Sequence, residues 1–475
     1  MFFDLLTYGD KTAVLTDNGE QLSYKGLYLQ SQEIAAHIPA GAFVFTLCDN
    51  HLGALVGYIA LLDNHIAQVL LDAAKDIDTL LQLADTYHPD FFWLPENRVD
   101  EFTQAGLADQ QIICSNNGYC LLKRNGTNDA PVHPDLLLCL TTSGSTGSPK
   151  FVRISEMNLK SNTEAIADYL SIDQNERPIT SLPMYYSFGM SVLNSNLLMG
   201  ATILLTDKTV VQREFWTFLK QEQATSIAGV PYTYETLKAF RFFRMDLPYL
   251  HTMIQAGGKL NAAIVKEYAE YAQSTGKRFF VMYGQTEASP RISYLPADRA
   301  IDKYGSIGIP VPGGRMVVAD ESGQEVTTPD TNGELVYYGP NVCMGYAECR
   351  ADLLKGDENN GCLHTGDIAC FDEEGFFYIT GRMKRFVKIW GNRCNLDAIE
   401  QLVKAITPDC ACVGVDNLVT IFVTNDNVHD DIYQLLQRKT GLNPQAFDIK
   451  TIHSIPKFDT GKTDYKSLTD LVNSL

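Results

Sequence analysis

The sequence predicts an α/β protein. A large N-terminal domain with mostly parallel sheets and a β-rich subdomain should precede a small α+β C-terminal domain. Three observations carry that expectation. Between Ala201 and Gly284 strand-like and helix-like runs alternate. After about Gly305 the chain changes to glycine, proline and short strand-like runs. Beyond the basic segment "RMKRFVK" (Arg382 to Lys388) enough chain remains for a compact domain of its own. The expected division is 1–383 and 384–475.

Each segment has its own signal. "ATILLTD" (Ala201 to Asp207), "TSIAGV" and "TMIQAG" are short apolar runs of strand length. "REFWTFLKQEQ" and "YTYETLKAF" carry helical spacing. In "NAAIVKEYAEYAQ" Ile264, Val265, Tyr268, Ala269 and Ala272 share one helical face. "RFFVMYG" (Arg278 to Gly284) closes the series as a strand. Such alternation implies a parallel sheet with helices on its faces. Ligands gather at the carboxyl ends of such strands, where Gly257-Gly258 and Tyr283-Gly284 fall. "GSIGIPVPGG", "GELVYYGP" and "GFFYITGR" mark the β-rich part.

Composition narrows the function classes. The chain has 475 residues, 45% of them hydrophobic, and a formal net charge of -19. That charge argues against nucleic acid or an anionic membrane as partner, though not against a local basic site. The eleven cysteines form no CxxC pair and read as reduced thiols of a cytoplasmic protein rather than a zinc site. No signal-peptide pattern starts the chain. The longest apolar stretch, near Leu52 to Leu62, holds Gly53 and Gly57 and is too short to span a bilayer.

The run "LTTSGSTGSPK" (Leu140 to Lys150) carries the chemistry. Eight of its eleven residues are Thr, Ser or Gly. Gly144 and Gly147 let backbone N–H groups point inward, the hydroxyls add donors, and Lys150 adds charge, which suits a polyphosphate. A disordered linker is the plain alternative. It is weakened by "DLLLCL" before and "KFVRIS" after, both strand-like. A Walker A loop is excluded, because Pro149 interrupts the approach to Lys150 and Phe151 stands where Ser or Thr would bind magnesium.

This run resembles the phosphate loop of the adenylate-forming (AMP-binding) superfamily of acyl-CoA synthetases, nonribosomal peptide synthetase adenylation domains and luciferases. Other segments resemble its motifs in order: "LSYKGLYLQSQEIAAHI", "VLLD", "VPYTYETL", "QAGGKL", "MYGQTEAS", "GELVYYGPNVCMGY", "LHTGDIACFDEEGFFYITGRMKRFVKIWGNRCNLDAIE" and "IPKFDTGKTDYKSL". The resemblance covers nearly the whole chain. It implies activation of a carboxylic acid by ATP and Mg2+, then transfer to CoA or to the phosphopantetheine of an acyl carrier protein. Thr142, Ser143, Gly144, Ser145, Thr146, Gly147 and Lys150 would hold the β- and γ-phosphates. Gly257 and Gly258 would admit nucleotide and substrate, and Tyr283 would stack on adenine. Thr286 would bind the α-phosphate, Glu287 the magnesium, and Asp367 and Arg382 the ribose. Lys462 would bridge carboxylate and phosphate in the transition state. Taken singly, Tyr283, Glu287 and Asp367 each have a structural reading as core residue, helix start or turn cap.

The resemblance also implies a mobile C-terminal domain, with Lys384 as hinge and Gly391 giving room to the thiol arm. Tyr185, Tyr186, Gly258 and Ala288 would border the acyl pocket, with Phe188 and Met190 adding an apolar lining. Glu156 and Tyr186 stand where many relatives have His, and Asn392 and Cys394 where aromatic and aliphatic residues are usual. "YYSFGMS" has no carboxylate to pair a substrate ammonium. The expected substrate therefore lacks an α-amino group. Amino-acid adenylation, and a non-catalytic nucleotide-binding protein, are the alternatives.

Overall fold

The computed structural model describes residues 2–126, 130–141, 150–383, 385–389, 392–415, 417–440, 442–458 and 462–474. The loop residues Thr142, Ser143, Gly144, Ser145, Thr146 and Gly147, the hinge candidate Lys384, and Gly391 lie outside the described residues.

The alternating segment folds as its periodicity dictates. Strands Ile203–Leu205, Ser226–Gly229, Thr252–Gln255 and Arg278–Gly284 are separated by helices Arg213–Gln221, Pro231–Ala239 and Ala262–Ser274. The last three strands pair in parallel, with Ser226 opposite Thr252 and Thr252 opposite Arg278. In the third helix Val265, Tyr268, Ala269 and Ala272 are buried and Ile264 is half-buried. Tyr268 stacks on Phe279 of the adjoining strand at 5.4 Å, so the apolar stripe faces the sheet. Arg291–Leu295 extends this nine-stranded sheet with an antiparallel strand.

A second, eight-stranded sheet has a parallel centre formed by Leu136–Thr141, Ala67–Asp72, Phe43–Cys48 and Phe91–Pro95. Every residue of helix Leu52–Asp63 is buried. A helix apolar on all sides belongs inside a core. Its glycines serve packing: a Cβ on Gly57 would meet the Trp93 indole at 2.0 Å. That indole donates to the Gly53 carbonyl at 2.9 Å. Among the described residues no helix is long and apolar enough to cross a membrane.

The chain divides into two units. One comprises 1–304, 310–315 and 338–363, and the other 305–309, 316–337 and 364–475. The second unit groups most of the β-rich region with the C-terminal residues. Its sheet order runs Arg315–Ala319, Gly333–Tyr338, Cys362–Phe371, Phe377–Arg382. The C-terminal part has helices Leu396–Lys404, His429–Thr440 and Tyr465–Ser474 around the strands Cys410–Val415, Leu418–Val423 and Phe447–Thr451. All eleven cysteines are free, and Cys410 and Cys412 are buried core residues.

Candidate active site

Strands Leu136–Thr141 and Phe151–Ser155 are antiparallel neighbours, with Thr141 opposite Phe151. The hydroxyl-rich run thus joins two paired strand ends, as its flanks predicted. Lys150 marks its exit. The Lys150 ammonium lies 3.4 Å from a Glu348 carboxylate oxygen and 5.0 Å from the centroid of the Tyr346 ring.

Tyr346 leads to the next group. Its hydroxyl donates to Glu287 Oε1 at 2.6 Å. Burial, then the Glu287 carboxylate, push the phenol far above its ordinary range, so it stays a donor. Glu287 sits on the short turn Thr286–Ala288 after strand Arg278–Gly284. Its carbonyl accepts from the Cys343 N–H at 2.8 Å. Lys150 and Glu287, remote in sequence, therefore flank one tyrosine ring. Burial pushes the Cys343 thiol up to about 12, which leaves it inert at neutral pH.

Arg153 supports Tyr346 from below. It is fully buried. Its guanidinium donates to the carbonyls of Tyr346 at 3.1 Å and Met344 at 3.0 Å, to those of Lys355 and Gly356, and to Glu358 at 2.5 Å.

Glu287 meets the demands of a magnesium ligand. It offers hard oxygens, and its Oε2 has no hydrogen-bond partner among the described residues. No cluster of three or more metal-ligating side chains occurs among the described residues. One carboxylate plus substrate phosphates is the usual way to hold Mg2+. The Thr286 hydroxyl likewise makes no hydrogen bond to another described residue.

Glycines shape the neighbouring strand ends. Gly257 has φ +85, and a Cβ there would lie 2.6 Å from the Tyr186 hydroxyl, so both backbone and space demand glycine. The Gly258 carbonyl accepts from Gln255 Nε2 at 2.9 Å. Tyr283, half-buried, is the penultimate residue of its strand, and its hydroxyl accepts from Gln285 Nε2 at 3.3 Å. Ala288 is fully buried, its carbonyl held by Asn341 Nδ2 at 2.7 Å.

The aromatic run before helix Ser187–Leu198 splits between two cores. Tyr186 and Phe188 join the cluster containing Val230, Ile254 and Met282. Tyr185 packs on the other cluster, around helix Leu52–Asp63, and Met190 is part of that core. Glu156 opens helix Glu156–Leu170 and pairs with His65 at 3.2 Å.

In the second unit Asp367 and Arg382 lie opposite each other on paired strands. Arg382 Nε is 2.9 Å from Asp367 Oδ1; Asp367 is buried and Arg382 exposed. Lys462 follows 459–461, which lie outside the described residues. Its carbonyl accepts from the Phe458 N–H at 2.8 Å, and Lys457 bridges Thr463. Around the hinge position, the Met383 N–H bonds to the Gly366 carbonyl at 2.8 Å. Arg385 is held by Asp397 and Glu400 and lies 3.7 Å from the Tyr465 ring centroid. Tyr346 and Arg153 are residues that sequence reasoning passed over. Tyr346 stands inside the quoted motif "CMGY", but nothing local says where its hydroxyl points.

Known proteins share this architecture. A family model described as "AMP-binding enzyme" matches residues 4–347. A feruloyl-CoA synthase of Amycolatopsis sp is 30% identical over 295 residues, 60% of this chain and 58% of that protein. A long-chain-fatty-acid–CoA ligase of Escherichia coli O157:H7 is 30% identical over 363 residues, 71% of this chain and 62% of that protein. The chain thus spans about three fifths of the length of these curated relatives. O-succinylbenzoate CoA synthetase from Bacillus subtilis, solved with its acyl-adenylate intermediate, superposes with a TM-score of 0.80 at 18% identity, over 98% of this chain and 97% of that one. ATP-bound MatB from Rhodopseudomonas palustris gives 0.77 at 22% identity, over 99% and 97%. At such identities these two solved structures speak for the fold.

Proposed function

The chain belongs to the AMP-binding enzyme family, and from that premise we propose that it is an acid–thiol ligase. A carboxylate oxygen of the substrate attacks the α-phosphorus of ATP. The bond to the β-phosphate oxygen breaks and pyrophosphate leaves with its electron pair. The thiolate of CoA, or of a carrier protein's phosphopantetheine, then attacks the acyl carbonyl and AMP departs. The observation that carries this reading is the convergence of Lys150 and Glu287 on Tyr346, beside a loop rich in donors.

The residues divide the work by their chemistry. Thr142, Ser143, Ser145, Thr146 and Lys150 neutralise the β- and γ-phosphates, where charge grows as pyrophosphate leaves. Thr286 holds the α-phosphate. Glu287, oriented by Tyr346, ligates Mg2+, which would supply charge neutralisation on the phosphates when bound. Tyr283 stacks on adenine. Asp367, paired with Arg382, accepts from the ribose hydroxyls. Tyr186, Gly257 and Gly258 border the acyl group.

Lys462 stabilises the adenylation transition state and withdraws for thioester formation. Residues 384–475 move as the mobile domain, and Lys384 is its hinge. The anchoring of Met383 on one side and of Arg385 on the other supports that position, since a swivel between two fixed neighbours concentrates the backbone change.

The test is carboxylate-dependent exchange of labelled pyrophosphate into ATP over a broad panel of acids. Exchange with at least one acid is expected; silence with all of them rejects the reading. Lys462→Ala should abolish exchange yet still form thioester from supplied acyl-adenylate. Loss of both steps together would reject the two-conformation account.

A further inference from the structure

Arg291 begins strand Arg291–Leu295, yet its side chain turns inward and the residue is only 3% exposed. No acid among the described residues pairs with it. Nη2 donates to Ser191 Oγ at 3.1 Å, and the guanidinium carbon lies 4.5 Å from the Phe188 ring centroid. The polar neighbours that act on it are the neutral phenols of Tyr169, which hydrogen-bonds it, and Tyr186. Nε has no hydrogen-bond partner among the described residues. Burial depresses the guanidinium from its ordinary value, but an arginine remains charged. A buried cation without a counter-ion is costly, and a residue such as methionine would fill the same space more cheaply.

The location gives that cost a purpose. Arg291 lines a cavity of about 10 Å³ together with Ser191, Ser195, Asn196, Ile254 and Met282. That is room for about one water. Phe188 and Tyr186 belong to the same apolar cluster, and the Tyr186 hydroxyl reaches Gly257. Tyr186 and Phe188, 6.4 Å apart by ring centroids, thus stand between the strand end at Gly257 and a guanidinium with no acid partner among the described residues.

We infer that Arg291 is the counter-ion for a second carboxylate, at the far end of the acid that the protein activates. This rests on the acid–thiol ligase reading and names its substrate class: dicarboxylic acids, with one end adenylated and the other held by Arg291. Arg291 is thus a specificity-determining residue.

The deciding experiment runs pyrophosphate exchange on matched pairs: α,ω-dicarboxylic acids from malonate to sebacate against the monocarboxylic acids of equal chain length. The wild type should favour at least one diacid over its matched monoacid by about 100-fold in kcat/KM, because a site built for a charged group rejects the analogue lacking it. Arg291→Met should erase that preference, mainly through KM, and Arg291→Lys should restore part of it. Exchange with monoacids at equal or better efficiency in the wild type would overturn the inference and leave the ligase reading intact, with Nε satisfied by a structural water. Silence with every acid would instead sink the ligase reading. The wild-type comparison decides the matter even where a variant fails to fold.

Discussion

Of the three arginines buried among the described residues, Arg153, Arg291 and Arg350, the first two are treated in opposite ways. Arg153 is sealed: four carbonyls and the Glu358 carboxylate accept from its guanidinium. Arg291 has one serine, a phenol and a ring face, and its Nε is left over. The physical cost of burying each charge is similar, but only Arg153 recovers it within the fold. A charge compensated by its own chain holds structure together. A charge left uncompensated in a cavity waits for something to arrive.

Stability measurements can break that distinction. Arg153→Met should lose about 3–5 kcal/mol, since it strips partners from several carbonyls at once and frees the segment that carries Tyr346. Arg291→Met should stay within about 1 kcal/mol of the wild type, because an uncompensated buried charge is exchanged for apolar volume. Urea denaturation of both variants reads the contrast directly. Equal losses would make Arg291 a structural residue and dissolve the comparison.

A smaller effect sharpens the link from Arg153 to the candidate active site. Tyr346→Phe removes one hydroxyl hydrogen bond to Glu287 and leaves the ring beside Lys150. The magnesium concentration giving half-maximal pyrophosphate exchange should rise about tenfold, with kcat at saturating magnesium little changed. A variant with unaltered magnesium dependence would show that Tyr346 does not orient Glu287.

The smallest effect lies at the rim of the Arg153 network. Asp352 accepts from the Glu348 N–H at 2.8 Å and pairs with Lys355 at 2.9 Å. The Lys355 hydrogen bond first, then the Glu348 N–H, lower its pKa from the ordinary 3.8 to about 2. A depressed carboxylate contributes stability above its unfolded pKa and loses it as pH falls through the folded one. Asp352→Asn should therefore lower the melting temperature by about 1–2 °C at neutral pH. The gap should close between pH 3.8 and about 2. A gap that widens in acid would contradict the assigned sign.

How much of this was legible depends on how local each signal is. The strands and helices from Ile203 to Gly284 follow from apolar spacing within each segment, and they stand where that spacing put them. The strands flanking the hydroxyl-rich run were legible for the same reason. Tyr185 and Tyr186 look equivalent as neighbours in "YYSFGMS", yet they face different cores because one residue of offset before a helix changes the direction. Arg291 in "PRISYL" reads as an ordinary charged strand start. Its burial comes from pairing opposite Gly284 at a register shift beside Tyr283 and Ser293.

By itself the sequence determined the fold class and the family, because the motifs that carry them are written in short contiguous runs. Tertiary structure alone decided which charges are spent on the fold and which are held in reserve. The hydroxyl of Tyr346 finds Glu287 across 59 positions, and Arg291 finds Ser191 across 100. Compensation of a buried charge is a property of the space around it, and that space is assembled from segments that say nothing of one another until they pack.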